Sequence, residues 1–292
     1  MLISNSEVNT FLTCERKHYY SFRERLAGDG KSLGKALIRG TVGHEALEGY
    51  YTAKQNGEDK HRCVGFMLEL VDNNKDHYPD LESDLDHLKE VLKRYVDTYW
   101  YEPWKILEVE SQHATSLLDN STVEYGMQLD LLVEVVSGRD KGQIQVIDHK
   151  FVYDFFSDRE VLMNSQLIKY LYTLRSNGIN VRKGILNQIR YRELKNPLPS
   201  KMFRRSPVVA SDLKQMSYME EYRKAAKKIW ELTQLTEEEH FNKTTMHLDK
   251  YTCGKCPFAP LCELHLSKSK THDKTKEILY VRNTYADKYK EA

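Results

Sequence analysis

"IQVIDHKF", residues 144–151, is the stretch on which the fold turns. Apolar Ile144, Val146 and Ile147 lead into Asp148, His149 and Lys150, and Phe151 is apolar again. A short apolar run of this kind reads as a strand entering a core. Side chains alternate across a strand, so Asp148 and Lys150 leave one face and His149 the other. Taken alone, the octapeptide is a surface ion pair at a strand end, because short motifs match by chance. Its neighbours decide whether it is more than that.

Two runs precede it, "WKILEVESQHATSLL" (104–118) and "VEYGMQLDLLVEVV" (123–136). With "GQIQVIDHKF" (142–151), and with "DNS" and "SGRDKG" as turns, they predict an antiparallel meander. Asp130 stands among Leu129, Leu131 and Leu132. A carboxylate on an apolar strand is costly to bury without a counter-charge or a metal. The hairpin brings Asp130 beside Asp148, and a divalent cation relieves the repulsion between two close carboxylates. Lys150 then stands where an ammonium orients water or stabilises charge on a phosphate. Asp, Asp and Lys together suit metal-assisted phosphodiester hydrolysis.

Elsewhere the pattern is helical. Ser4 and Glu7 form a capping box before Val8, Phe11, Leu12, Tyr19 and Phe22, predicting a first helix of about 20 residues with Cys14 inside it. "LAGDGKSLGK" (26–35) is a loop; the first glycine of a P-loop would fall at Arg25, which excludes nucleotide binding there. Residues 35–54 predict a helix with a small-residue break, carrying His44 and Glu48, and residues 61–100 predict polar-faced helices. A Ser-capped, Gly-stopped helix over 157–178 precedes a fourth strand at 183–193, so a parallel crossover is expected. A loop with a basic tip (196–207), an amphipathic helix (211–234), a cysteine-bearing loop and a charged tail complete the chain.

A chain of 292 residues with a net charge of +1 is long enough for a large core and does not advertise nucleic-acid binding by charge alone. No apolar run is long enough to cross a bilayer, and "MLISNSEVNT" lacks a signal-peptide layout, so an intracellular, cytoplasmic protein is expected. Cys14 and Cys63 stand alone, whereas Cys253, Cys256 and Cys262 form C-x2-C-x5-C. In that compartment clustered cysteines suggest metal before disulfide. Four thiolates suit either zinc or a [4Fe–4S] cluster. Cys63 reads as a buried small hydrophobe.

A carboxylate in one strand followed by (D/E)-x-K in the next resembles the PD-(D/E)XK nuclease pattern, here Asp130 and "DHK" (148–150). "GTVGHEALE" (40–48) resembles the G-x-x-x-H motif of its RecB-type exonuclease branch, and "QLIKY" (166–170) the Q-x-x-x-Y motif. "CERKHYY" (14–20) and "CGKCPFAPLC" (253–262) resemble the iron–sulfur staple of AddB-type and CRISPR-associated RecB-like nucleases. The motifs cover residues 1–30, 40–48, 125–170 and 240–262, in the family's order.

The resemblance implies an α/β restriction-endonuclease-like fold over 1–292: a mixed sheet flanked by helices, a helical insertion lobe at 50–100, and a cysteine segment at 240–265 joined to Cys14. It implies Mg2+ or Mn2+ held by His44, Asp130, Asp148 and the His149 carbonyl, with Lys150 positioning water. It also implies a [4Fe–4S] cluster on Cys14, Cys253, Cys256 and Cys262. The His149 ring is structural in this reading. Glu48 is either a partner of the metal ligands or an ordinary helix carboxylate, and Gln166 and Tyr170 either a core-edge pair or DNA or active-site contacts. Arg190, Arg192, Lys201, Arg204 and Arg205 read as a solvated edge slightly before a phosphate-holding one. The implied activity is a DNA exonuclease preferring single-stranded ends, in recombination, repair or replication alongside other proteins of those processes. The rival is a non-catalytic DNA-end-binding subunit of a recombination or CRISPR complex. Aromatic and basic residues mix in "RKHYYSFRER" (16–25), either to stack bases or, slightly preferred, to pack the first helix against the cluster.

Overall fold

A computed structural model describes residues 1–28, 34–118, 123–195 and 197–282. The first half of the chain forms β1 (Leu2–Ser4), α1 (Asn5–Thr13), α2 (Glu15–His18), β2 (Leu26–Gly28), α3 (Lys35–Gln55), α4 (Lys60–Lys75), α5 (Glu82–Tyr99), β3 (Trp104–Ser116) and β4 (Glu124–Val135). There follow β5 (Ile144–Val152), α6 (Asp158–Leu162), α7 (Ser165–Ser176), β6 (Val181–Arg190), α8 (Pro199–Met202), β7 (Phe203–Val208) and α9 (Asp212–Thr233). The last elements are α10 (Glu237–Lys243), α11 (Lys250–Cys253), α12 (Ala259–Leu266), α13 (His272–Leu279) and β8 (Tyr280–Arg282). The chain divides into two compact units, one of Met1–Leu33, Ala114–Gly126 and Met219–Ala292, the other of Gly34–His113 and Met127–Tyr218.

The second unit is an α/β layer structure. Its strands lie in the order β4–β5–β6–β7, with β3 also paired to β4. β4 and β5 are antiparallel, β5 and β6 parallel, β6 and β7 antiparallel, so the sheet is mixed. The parallel β5–β6 pair requires a crossover, and α7 provides it. One sheet face, through Leu131, Val133, Ile147, Ile185, Ile189 and Phe203, shares a core with α3, α4 and α5. α5 reaches it through Leu85, Leu88, Leu92, Tyr95 and Val96, spaced at three and four residues. On the opposite face α7 lies close: a Cβ at Gly184 would come within 2.8 Å of Leu167 Cδ2.

In the first unit, β1 runs parallel to the start of β4, Ile3 opposite Tyr125, and β2 pairs antiparallel with β8. A second small core gathers Tyr19, Tyr20, Phe258, Leu261 and Tyr280.

Several expectations need correction. The first helix stops at Thr13, because Cys14 is extended (φ −166°, ψ 117°), and the chain restarts as α2 and a π-helical turn over Tyr19–Arg23. α3 runs through its glycines without a break. The helix expected over 157–178 is two: Ser157 caps α6 in a capping box with Glu160, and Asn164 caps α7 by accepting from the Leu167 N–H. Residues 197–207 are not simply a loop, since α8 and β7 occupy most of them, and α11 and α12 carry Cys253 and Cys262. Of the expected loop 26–35, residues 29–33 lie outside the described residues, as do the turn at 119–121, Asn196 and residues 283–292 of the charged tail.

Gly43 sets how closely α3 approaches β5. A Cβ there would collide with the Phe151 ring, whereas one at Gly40, the glycine of the G-x-x-x-H pattern, would meet nothing within 4 Å. Gly43→Ala is expected to destabilise by about 1–3 kcal/mol, the cost of overpacking a core. Gly40→Ala is expected to be neutral or to stabilise by up to about 1 kcal/mol, alanine being the better helix former. Urea unfolding of both variants checks this, and equal midpoints would show that the ring yields freely.

Candidate active site

The site is built where two strands part. The β4–β5 ladder runs from Glu134–Ile144 to Leu131–Ile147. At the next position the Asp130 side chain takes over, its Oδ2 accepting the His149 backbone N–H at 2.5 Å. Asp130 Oδ1 lies 3.5 Å from Nδ1 of His44, which α3 delivers beside it. Asp148 is fully buried, and Lys150 Nζ donates to its Oδ1 at 2.8 Å. The other oxygen, Oδ2, is buried with no hydrogen-bond partner among the described residues. The His44 ring also meets the Phe151 ring edge-on at 5.8 Å. The structure therefore gathers His44, Asp130, Asp148, His149 and Lys150 in one unit.

One member was missed from sequence. His44, Glu110 and Asp130 each offer a ligand atom, and these atoms lie within 4.8 Å of one another, the one such His/Cys/Asp/Glu group among the described residues. Glu110 adopts φ +45°, a left-handed conformation uncommon outside glycine, and no strand-alternation rule foretells where its side chain goes. Its signal in the sequence was weak, because Glu110 shares the mixed run "KILEVESQH" (105–113) with Glu108 and other polar residues, where no one carboxylate stands out as Asp130 does among its leucines. Imidazole and carboxylate donors, with the orphaned Asp148 oxygen, fit a divalent cation of the Mg2+ or Mn2+ class.

The charges push each other's ionisation apart. Burial alone would raise the Asp130 carboxyl, but the His44 imidazole and Lys150 hold it well below the ordinary range. Burial raises Asp148 above it, and Lys150 offsets this only in part. Burial opposes the Lys150 ammonium, yet Asp148 and Asp130 keep its pKa above the usual lysine value. Burial likewise opposes protonation of His44, and Asp130 outweighs it. Glu110 carries the remaining repulsion: burial and the neighbouring Asp130 push it up to about 7, with Glu48 adding to the negative field.

Two hydrogen-bond chains brace the group. Gln166 Nε2 donates to the Tyr170 hydroxyl at 2.7 Å, and that hydroxyl donates to the Gln128 carbonyl at 2.8 Å. The Gln128 side chain then donates to Glu110 Oε2 at 2.6 Å. Behind the sheet, the His149 ring stacks on Tyr51 at 5.5 Å. Arg205 Nε donates to Asn187 Oδ1 at 3.2 Å, so Asn187 Nδ2 faces His149 Nδ1, at 2.7 Å, and puts the ring proton on Nε2. Burial holds that ring neutral, its pKa down to about 3. Arg205 in turn is ion-paired to the buried Glu102 and lies over the Tyr99 ring at 3.6 Å. Arg205 is thus a core residue and not part of a solvated basic edge.

The four cysteines lie in the other unit. The His247 N–H points at Cys14 Sγ (3.5 Å), and Cys253 Sγ donates to the His247 carbonyl (3.0 Å). Burial, with Cys256, Cys14 and Cys253 adding, pushes the Cys262 thiol up to about 11. No three of these sulfurs lie within 4.8 Å of one another. Cys63 is fully buried, as expected. Tyr19 and Tyr20 are buried too, and Arg16 lies over the Phe241 ring at 3.5 Å, so residues 16–25 pack a core and offer no exposed tyrosine platform.

The family model described as PD-(D/E)XK nuclease superfamily matches residues 2–263. No curated protein matches the chain. Several solved structures are similar, two of which illustrate the likeness. One, from Eubacterium rectale and described as a candidate exonuclease, is 10% identical with a TM-score of 0.46 and covers 87% of this chain and 88% of its own. The other, SSO0001, is 13% identical with a TM-score of 0.36 and covers 66% of this chain and 79% of its own. Likeness at that level supports no statement about activity.

A carboxyl with its pKa raised to about 7 keeps its proton below that pH and must lose it to ligate a cation. Mn2+ affinity, measured calorimetrically, is therefore expected to strengthen as pH rises through about 7 and Glu110 loses its proton, with the deprotonation of His44, which Asp130 also holds up, adding to the rise. Glu110→Gln should bind more weakly, by about 10- to 100-fold at pH 8, and lose one proton's worth of that slope. Superimposable profiles would remove Glu110 from the ligand set.

Proposed function

The chain belongs to the PD-(D/E)XK nuclease superfamily, and we propose that it is a metal-dependent deoxyribonuclease, an exonuclease preferring single-stranded DNA ends, working in recombination, repair or replication. The observation that carries this reading is the Asp148–Lys150 pair, 2.8 Å apart, beside the second carboxylate of Asp130. A binding module has no use for a buried acid pair with an ammonium on it.

His44, Glu110, Asp130, Asp148 and the His149 carbonyl would hold Mg2+ or Mn2+. When bound, the ion supplies Lewis-acid stabilisation of the phosphate oxygens and lowers the pKa of a water. The protein's own residues do the rest. Asp130 is held ionised and pinned by the His149 N–H, so one carboxylate stays fixed and charged at neutral pH. Lys150 keeps its proton, so its Nζ–H groups orient the attacking water and face the negative charge that develops on the phosphate. Gln166 and Tyr170 act at one remove, bracing Gln128 and through it Glu110.

Asp130→Ala, Asp148→Ala and Lys150→Ala are each expected to cut the release of nucleotides from end-labelled DNA by orders of magnitude while leaving DNA binding in place. Assays with and without Mn2+, on a linear single strand, a blunt duplex and a closed single-stranded circle, check the claim. Wild-type rates in Asp148→Ala would refute the site. Binding without cleavage by the wild-type protein would make it a DNA-end-binding subunit, and equal loss of circle and linear strand would make it an endonuclease.

Cys14, Cys253, Cys256 and Cys262 would hold a [4Fe–4S] cluster. Burial apart, Cys14, Cys253 and Cys256 all lie near enough to Cys262 to push its thiol pKa up, as four ligands of one group would. Protein purified without air is expected to contain about four irons per chain, and Cys14→Ala to melt at a lower temperature. Stoichiometric zinc without iron in elemental analysis would overturn the cluster.

A further inference from the structure

The chain leaves β5 at Val152, two residues past Lys150, into "YDFF" (153–156). Tyr153 there is 59% exposed, which is unusual for a large aromatic beside a buried site. Arg192 lies over its ring at 5.5 Å, and Tyr191 meets it edge-on at 6.0 Å. Phe155 carries two guanidiniums, Arg190 at 4.1 Å and Arg204 at 5.0 Å. Arg190 and Arg192 share a single carboxylate, Asp154, at 3.4 and 3.0 Å.

Arg204 has no carboxylate at all among the described residues. Its Nε and Nη2, the pair of N–H groups that together match two oxygens of one phosphate, are buried with no hydrogen-bond partner among the described residues. A partly buried charge left in this state is costly unless an anion completes it. The sheet register says where that anion would lie. Lys150 is opposite Gln188, and Gln188 is opposite Arg204. The three share one face, so Arg204 stands two strands, about 10 Å, from Lys150.

We infer that this edge carries the strand flanking the scissile phosphate: a base stacks on Tyr153, and a neighbouring phosphate sits on Arg204. The inference rests on the nuclease reading above and adds the surface, Tyr153 and Arg204, that would hold the single strand. An exposed ring reaches a base face only where bases are unstacked, so a duplex interior cannot use it. Guanidiniums on the aromatic faces keep the platform positive where the backbone passes. Phosphate alone would need no ring, and an apolar partner would need no uncompensated arginine.

The test is binding of the full chain to a fluorescent oligothymidylate and to a blunt duplex of equal length, by anisotropy in EDTA, where cleavage is silent. Tyr153→Ala is expected to weaken single-strand binding about tenfold, the size of one lost base stack, with the melting temperature unchanged. Tyr153→Trp is expected to restore it. Arg204→Ala should lower the slope of log affinity against log salt by about 0.7, one phosphate contact on a single strand. Wild-type affinity and slope in both variants would overturn the inference while leaving the nuclease reading intact. Equal losses on single strand and duplex would overturn the base stack. A wild-type protein that binds neither ligand would bring down the nuclease reading itself, and this inference with it.

Discussion

The hydrogen bond from the His149 N–H to Asp130 Oδ2 is the constraint on which the rest of the second unit depends. It sits where β4 and β5 stop pairing, just past Leu131 and Ile147, and it substitutes a carboxylate for the backbone carbonyl that a continuing ladder would supply. A buried N–H must find an acceptor. By giving it Asp130, the fold turns the end of a ladder into a fixed anion. Residue 149 faces two ways at once: its peptide N–H pins the acid, while its ring is clamped behind the sheet by Tyr51 and Asn187. The clamp ends in the Arg205–Glu102 pair. Breaking such a pair leaves a buried charge uncompensated and typically costs about 3–5 kcal/mol. The front of the sheet is therefore only as well defined as the polar network at its back.

That arrangement is electrostatically unfinished. His44 answers Asp130 and Lys150 answers Asp148; His44 also draws on Glu110, but burial and Asp130 outweigh it, and Glu110 holds its proton to about pH 7. The left-handed backbone of Glu110 adds strain at the same residue. Strain and repulsion concentrated at one carboxylate are costs that packing does not require, and sites that bind cations bear them because the ligand removes them.

Much of this was legible in the sequence, for reasons that can be named. Asp130 and Asp148 declare themselves because a carboxylate in an apolar strand has few explanations, and strand alternation alone puts Lys150 with Asp148 and His149 opposite. The crossover to β6 follows from element order. What escaped depended on single backbone angles. Glu110 leaves its strand's parity through a positive φ, and the first helix breaks at Cys14 through one extended residue. "NPLPSKMFRRSP" reads as a loop because of its prolines, yet β7 runs through Pro207, which lies near the end of its strand, where a missing N–H is tolerated. Within it, parity separates two adjacent arginines of opposite fate: Arg205 turns into the core with Asn187, and Arg204 shares the face of Lys150. Charge counts cannot tell such neighbours apart.

The division of labour between the units explains where a cross-link is useful. Every residue of the acidic site lies in the second unit, whose core is extensive, and all four clustered cysteines lie in the first. That first unit is assembled from three separate stretches of chain, and the two that carry the cysteines meet at Tyr19, Tyr20, Phe258, Leu261 and Tyr280, a small cluster with Cys256 and Cys262 packed against it. A cluster of that size contributes little by itself against the entropy of bringing residue 14 to residue 253, a closure that grows only slowly costlier with length but must still be met. Covalent or metal cross-links are how small cores usually meet it. A cysteine cluster here would act on the persistence of the first unit, and its residues belong to a different unit from those of the acidic site.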